Sequence, residues 1–339
     1  MTDADHPLVT FALIAYNQEA FISQAVEAVL TQTYSPLEII LSDDASSDAT
    51  ATVIHAMATT YRGHHKVRVN INDRNLGVGA HVNKIFELAQ GELLVLAAGD
   101  DISLPSRAER TVAHWLSQHR RPDALYCDAS AIDAEGNQVG SPHPALRGMD
   151  GRAALMIGFR HPNRLLVLGA CSAYTPRLYK RFGPLLDSLP IEDVPLAVRA
   201  SLLGGIHCIN EPLVRYRRNV SSWLPRKLPQ EDFDRHLLRM AHRATAQHFI
   251  SKQFLADVST VDAHTVRHIA QQRFAATTFT FQASQTRRLP LARFIWLILA
   301  NPFARFVAPA ALFGLPDLHR WLFYTKTWLL GRKSCRPSE

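Results

Sequence analysis

The sequence of 339 residues is 47% apolar and 20% charged, a balance that excludes a disordered or fibrous chain and leaves ample length to bury one large core or two small ones. Its four cysteines, Cys127, Cys171, Cys208 and Cys335, form no CxxC pair, which excludes a zinc ribbon or a disulfide framework and suits a reducing compartment. The net charge of +7 is uneven: residues 1–214 carry 17 Lys+Arg against 23 Asp+Glu and residues 215–339 carry 20 against 7, so the basic excess lies in the C-terminal part and points to an anionic partner there. The opening MTDADHPLVT has neither a basic n-region nor an apolar h-region, so export through a cleaved signal is not expected.

In chain order, Leu8 to Ala15 is an apolar, β-branched run that predicts a buried strand. A tight turn over Tyr16 to Glu19 follows, with Asn17 as the expected N-cap of a helix from Phe21 to Leu30. Leu37 to Leu41 predicts a second strand, which runs into Ser42-Asp43-Asp44-Ala45-Ser46-Ser47-Asp48 and then a helix over Ala49 to Tyr61. Lys66 to Asn72 predicts a third strand. Asn75-Leu76-Gly77-Val78-Gly79 leads into a helix over His81 to Gln90, with Gly91 as its expected stop. Leu93 to Asp101, LLVLAAGDD, is an apolar run ending on two adjacent carboxylates. Strands alternating with helices predict βαβ units and a mainly parallel sheet, and ligands of such sheets bind outside the strands' carboxyl ends.

Beyond this point a helix is expected from Leu104-Pro105, a strand over Ala124 to Ile132 with a hairpin turn at Ala134 to Asn137, and a small-residue strand over Gly169 to Tyr174. A short helix over Arg177 to Phe182 is followed by Glu192-Asp193 at the entrance of a helix that runs to Leu203. Two last strands are expected at Ile206 to Ile209 and Leu213 to Arg217. From about Val220 the periodicity is helical. The most apolar stretch, Leu289 to Leu315, is broken by Pro302 and Pro309 and carries Arg293 and Arg305, so it falls short of a spanning helix. With Trp296, Phe303, Phe306 and Phe313 it fits either helices lying in a membrane interface or an amphipathic pair packed on the protein. The sixteen histidines show no metalloprotease spacing, and most of them are expected at the surface or lightly packed. No Gly-Lys-Ser/Thr loop or complete dinucleotide fingerprint is present, and no motif supports nucleic-acid binding.

Four ordered motifs between Val9 and Ser222 carry a resemblance: Ala15-Tyr16-Asn17 with Gln32-Thr33; Ser42 to Thr50; Gly99-Asp100-Asp101 with Pro105; and Glu192-Asp193 with Leu196 and Arg199. Asn75, Gly77 and Asn83 add to them. Together they resemble the family 2 glycosyltransferases, which implies an α/β, GT-A-type Rossmann-like fold with a helical C-terminal extension. The expected divisions are a transferase domain at 1–222, with a donor-binding half at 1–105 and an acceptor half at 106–222, and a basic helical region at 223–339. The resemblance implies that Tyr16 stacks on the base of a sugar nucleotide, that Asp44 accepts a hydrogen bond from that base, that Arg74 contacts the base or a phosphate, and that Asp43 is a structural partner. It further implies that Asp101 binds Mg²⁺ or Mn²⁺, that Asp100 faces the ribose or sugar, and that Asp193 is the catalytic base.

Three departures qualify it. Ala98 stands where an aspartate is usual, Ala45 where a glycine is usual, and Arg217-Arg218-Asn219 follows Tyr216 where relatives often have histidine. The Gln-x-x-Arg-Trp motif of processive synthases is absent, so single addition is expected. The expected activity is inverting transfer of one sugar from a nucleoside diphosphate donor, a UDP-sugar, to a hydroxyl of a glycan or lipid-linked acceptor in cell-surface polysaccharide synthesis. The enzyme is expected in the cytoplasm at the inner membrane face, touching the membrane through about 289–330. A catalytically silent nucleotide- or glycan-binding module, favoured by Ala98, and a nucleotidyltransferase are the alternatives.

Overall fold

The computed structural model describes residues 6–139, 167–218, 233–261, 264–302 and 307–315. The chain forms two compact units, Met1–Trp223 and Leu224–Glu339. The first is built on an eight-stranded sheet of order β3-β2-β1-β4-β7-β6-β8-β5. Its elements are β1 (Val9–Ala15), α1 (Ile22–Leu30), β2 (Leu37–Asp43), α2 (Thr50–Thr60), β3 (Lys66–Ile71), α3 (Val78–Leu88), β4 (Leu93–Ala98), β5 (Ile102–Ser103), α4 (Arg107–Ser117) and β6 (Ala124–Ile132). A 3₁₀ turn (Gly169–Cys171), β7 (Ser172–Tyr174), α5 (Arg177–Phe182), α6 (Asp193–Ser201) and β8 (Ile206–Arg217) complete it.

The apolar runs behave as their composition dictates. β1, β2 and β4 are buried almost throughout, as strands covered on both faces must be; β1 pairs in parallel with β2 and with β4, and β2 with β3. Beyond β4 the sheet turns antiparallel on both sides of β7, while β6 and β8 again run parallel. The sheet is therefore mixed, with its parallel block at the N-terminal side. Arg107, buried, pins the seam: it donates to the Leu96 carbonyl of β4 at 2.7 Å and the Ser172 carbonyl of β7 at 3.2 Å. Gln32 joins the end of α1 to the start of α4, donating to the Leu104 carbonyl and accepting from the Ala108 N–H.

Several local expectations change. Asn17 does not cap α1, which begins at Ile22 after Phe21. It adopts φ 51°, and its Oδ1 accepts from the Ser47 N–H at 2.8 Å, so it fastens the first turn to the loop after β2. β4 ends at Ala98, so Asp100 and Asp101 stand just past its carboxyl end, where they are expected. Pro105 precedes α4, which starts at Arg107, and the small-residue segment opens with the 3₁₀ turn rather than a strand. The two strands expected between Ile206 and Arg217 are one, β8, whose register against β6 slips twice around Asp128. Such a bulge bends a strand and re-aims the Tyr216-Arg217 end. Ala45 does take the left-handed conformation, φ 57°, that its usual glycine would accept without strain.

The second unit comprises α7 (Phe233–Ser259), α8 (His264–Thr286), α9 (Leu291–Ala300) and α10 (Pro309–Gly314) among the described residues. Phe233, Leu237, Phe279, Leu297, Val307 and Phe313 form its core. Phe303, Phe306 and 316–330, part of the expected membrane contact, lie outside the described residues.

Gly91 is not the helix stop expected of it: α3 ends at Leu88 with Ala89 in extended backbone. A Cβ on Gly91 would lie 2.3 Å from the Thr10 backbone nitrogen, so the glycine lets the chain cross β1. Gly91→Ala must displace a central strand and should cost about 1–3 kcal/mol, read as a lower urea midpoint; an unchanged midpoint would show that β1 yields freely there.

Candidate active site

The carboxyl ends of β1, β2 and β4 open onto a cavity of about 650 Å³. Tyr16, Asp44, His81, Asp100, Asp101 and Asp193 are among the residues lining it. Five of the six residues expected at a site are thus brought together; Arg74 is exposed and does not line the cavity.

The turn after β1 and the loop after β2 lock each other. Besides the Asn17 contact, the Asn17 N–H donates to Ser46 Oγ, and the Ala49 N–H donates to Glu19. Asp43 accepts from the Ser46 N–H at 2.8 Å and from its hydroxyl, the structural part expected of it. Asp44 is buried at the end of β2, and its carboxylate accepts from Asn72 Nδ2 at 2.8 Å, the Leu76 N–H at 2.9 Å and the Gly77 N–H at 3.0 Å. It therefore shapes the Asn75-Leu76-Gly77 loop as well as facing the cavity. Tyr16, partly exposed, stands on the β1 side.

Strands lie about 4.8 Å apart, so the acidic turn after β4 stands about 10 Å along the cavity from Asp44. Burial raises the pKa of Asp100, opposed by a hydrogen bond from Gln18. Gln18 and Ala15 press so closely on Gly99 that its Cβ would lie 2.5 Å from Gln18 Oε1. Asp101 Oδ1 accepts from the Arg217 N–H at 2.7 Å, and its Oδ2 is buried with no partner among the described residues. Burial, with Asp100 adding to it, pushes the Asp101 carboxyl well above the usual range. An orphaned oxygen beside a second carboxyl is what a divalent cation would satisfy. No group of three His, Cys, Asp or Glu side chains suited to a metal occurs among the described residues, so such an ion would depend on oxygens brought by a ligand.

At the far wall, Asp193 opens α6, and its Oδ1 accepts from the Val194 N–H at 2.6 Å. Burial pushes its pKa up to about 6, partly offset by the Val194 and Gly169 N–H groups. Glu192 is pushed up to about 8 by burial and by the Asp193 charge. Its Oε1 stands 1.8 Å from where a Gly169 Cβ would be, so only glycine admits it. The wall is held from behind by two motif residues. Asn83 exchanges hydrogen bonds with the backbone of Leu185 at 2.7 and 2.8 Å, and Arg199 donates to the Gly183 and Pro184 carbonyls.

Three residues that sequence reasoning missed also line the cavity: Gln18, whose place in the first turn is a signal; Tyr216; and His81, which with His65 is buried while most histidines are expected at the surface or lightly packed.

The sequence profile of Glycosyl transferase family 2 matches residues 10–179. EpsE of Bacillus subtilis (strain 168), which carries a glycosyltransferase name, is 34% identical over 34% of this chain and 40% of its own. The succinoglycan biosynthesis protein ExoO of Rhizobium meliloti is 25% identical over 88% of this chain and 83% of its own. An uncharacterized protein of Mycobacterium tuberculosis is 30% identical over 61% of this chain and 57% of its own, so the chain spans about half the length of the first curated relatives it matches. The crystal structure of Staphylococcus aureus TarS 1–349 in complex with UDP-GlcNAc superposes with a TM-score of 0.58 at 16% identity, covering 96% of this chain and 92% of that one. That likeness establishes a shared fold.

Between pH 4.5, the ordinary value, and about 8 the folded chain keeps a proton at Glu192 that the unfolded chain has released. Stability therefore falls as pH rises through that window. The urea midpoint should drop from pH 5 to pH 8, and Glu192→Gln should remove much of the slope; an identical slope in the variant would place the titration elsewhere.

Proposed function

This chain belongs to the family 2 glycosyltransferases, and on that premise we propose that it transfers a single sugar, with inversion, from a UDP-sugar to a hydroxyl of a glycan or lipid-linked acceptor in cell-surface polysaccharide synthesis. The observation that carries this reading is the gathering of Asp44, Asp100, Asp101 and Asp193 around one cavity at the strand ends. The base lies toward Asp44 with Tyr16 stacked on it, the diphosphate lies near the acidic turn, and the sugar lies toward Asp193. Arg74 would reach the donor only by folding over the rim. Support from similar proteins is the UDP-GlcNAc bound by TarS and the part of ExoO in succinoglycan biosynthesis.

Asp193 accepts the proton of the acceptor hydroxyl as that oxygen bonds to the anomeric carbon. The bond from that carbon to the β-phosphate oxygen breaks, and UDP departs with the electron pair. A carboxyl raised to about 6 is mostly ionised at neutral pH, yet more basic than an exposed aspartate, as a general base should be. Asp101 Oδ2 would hold Mg²⁺ or Mn²⁺; a Pyrobaculum calidifontis mannosyltransferase that shares the fold forms a complex with GDP-Man and Mn²⁺. Such an ion, when bound, would neutralise charge on the departing diphosphate. Asp100 would face the ribose or sugar. The donor half is read at 1–105, the acceptor half at 106–222 and a basic helical region at 223–339.

Asp193→Asn should keep UDP affinity within about twofold and lower transfer by a factor of about 10² to 10⁴. Full turnover by that variant would remove the base assignment. A silent binding module, favoured by Ala98 in the cavity wall, predicts no UDP release from any sugar nucleotide, and screening of donors by mass spectrometry separates the two readings.

We also propose contact with the inner face of the cytoplasmic membrane. α9 turns Leu297 inward and exposes Leu291, Ile295, Trp296 and Leu299, at 59%, 49%, 63% and 80%, along one face. From Ala263 to Pro316 the sequence has no Asp or Glu, and Arg287 and Arg288 stand just before the helix. No helix among the described residues is long and apolar enough to cross a membrane, so the reading is of a helix lying in an anionic interface. Co-sedimentation with vesicles containing phosphatidylglycerol should fall severalfold in Trp296→Ser/Leu299→Ser, and undiminished sedimentation would rule this face out.

A further inference from the structure

One cavity-lining group has no part in the reaction above. His81 lies on the first turn of α3 and is 3% exposed. Its Nε2 is 2.6 Å from Ser42 Oγ, and Ser42 Oγ also accepts from Asn70 Nδ2 at 2.9 Å. Ser42 is fully buried, and its one proton has no other acceptor among the described residues. Buried hydroxyls are hydrogen-bonded, so the Ser42 O–H donates to Nε2. The imidazole is then neutral, with its proton on Nδ1. Burial lowering its pKa, against the pull of Asp44 and Asp43, agrees with a neutral ring. No described residue hydrogen-bonds Nδ1, and that atom is not one of the buried polar atoms left without a partner, so its N–H is open toward the cavity that His81 lines.

Asp44 is the neighbouring acceptor. Its Oδ1 takes two donors and its Oδ2 takes one, the Gly77 N–H, which leaves an acceptor direction unused on Oδ2. An N–H donor and a carboxylate acceptor on one wall complement a ring edge on which an N–H adjoins a carbonyl, as N3–H adjoins O4 and O2 in uracil. Cytosine offers a lone pair at N3 instead, which would face the carboxylate. We propose that His81 is a specificity-determining residue, donating from Nδ1 to a uracil carbonyl of the donor while Asp44 accepts from N3–H. The inference rests on the UDP-sugar reading above.

Two substitutions separate this from a structural part. His81→Asn sets an amide N–H near the place of Nδ1 and gives up the Ser42 contact. His81→Gln carries its amide to the place of Nε2, keeps a partner for Ser42 and gives up the cavity donor. UDP and CDP affinities of the full chain are measured by isothermal titration calorimetry at fixed Mn²⁺, with a thermal melt of each variant. His81→Gln should weaken UDP about tenfold, the scale of one lost hydrogen bond, and narrow the preference over CDP. His81→Asn should stay within about threefold of the wild type. The reverse order, or wild-type UDP affinity in folded His81→Gln, overturns the proposal. If His81→Gln does not fold, a folded His81→Asn that has lost UDP binding overturns it equally, and one that retains UDP binding upholds it. A wild-type chain that binds another nucleoside diphosphate but not UDP removes the donor reading itself, a result distinct from a failure of His81 alone.

Discussion

The site depends on one buried guanidinium. Arg217 donates from Nε to the Asp100 carbonyl at 2.9 Å, from Nη1 to the Asp133 and Ala134 carbonyls, and from Nη2 to Gln24 Oε1 at 2.8 Å. Its carbon lies 4.6 Å over the Phe21 ring. A buried charge persists only where its donors are satisfied, and here the acceptors come from the acidic turn, the hairpin after β6 and α1. Its own N–H holds Asp101 Oδ1. It fixes one oxygen of that carboxyl and leaves the other buried without a partner among the described residues. In the stretch after Tyr216 where relatives often have histidine, this chain thus has an arginine that orients the carboxyl beside it.

The sheet explains why the remaining groups converge. In the parallel block every strand ends on the same side, so Asp44 and the acidic turn share an edge by topology alone. Asp193 reaches that edge differently, on a helix whose preceding segment is held by Asn83 and Arg199. The strand-end side of the cavity is thus a product of strand direction and the Asp193 side a product of side-chain clamps.

This division also decides what can be read from the sequence. Buried strands announce themselves as apolar runs, and carboxylates at their ends need no tertiary information to be noticed; Asp44, Asp100 and Asp101 are legible for that reason. The double register slip in β8 is not, because Asn210-Glu211-Pro212 looks like a break whether the strand ends or bulges. Gly91 misleads because a glycine after a helix suits a stop, while its actual reason, the backbone of Thr10, is remote in sequence. His81 is hidden by its neighbours, since a lone histidine on an amphipathic helix carries no periodic signal. The clamp residues Asn83 and Arg199 are legible as parts of the motifs, but their partners, the backbone of Leu185 and Gly183, are not until the fold brings them near.

The order of strands has a further consequence at its margins. An open sheet offers unpaired backbone at each end, and long apolar edges recruit further chains. Here one margin is β3, with Lys66 exposed and Arg68 also charged, and the other is β5, only two residues long. Lys66 and Arg68 thus discourage strand addition along β3, and β5 covers β8 at Val214 and Arg215.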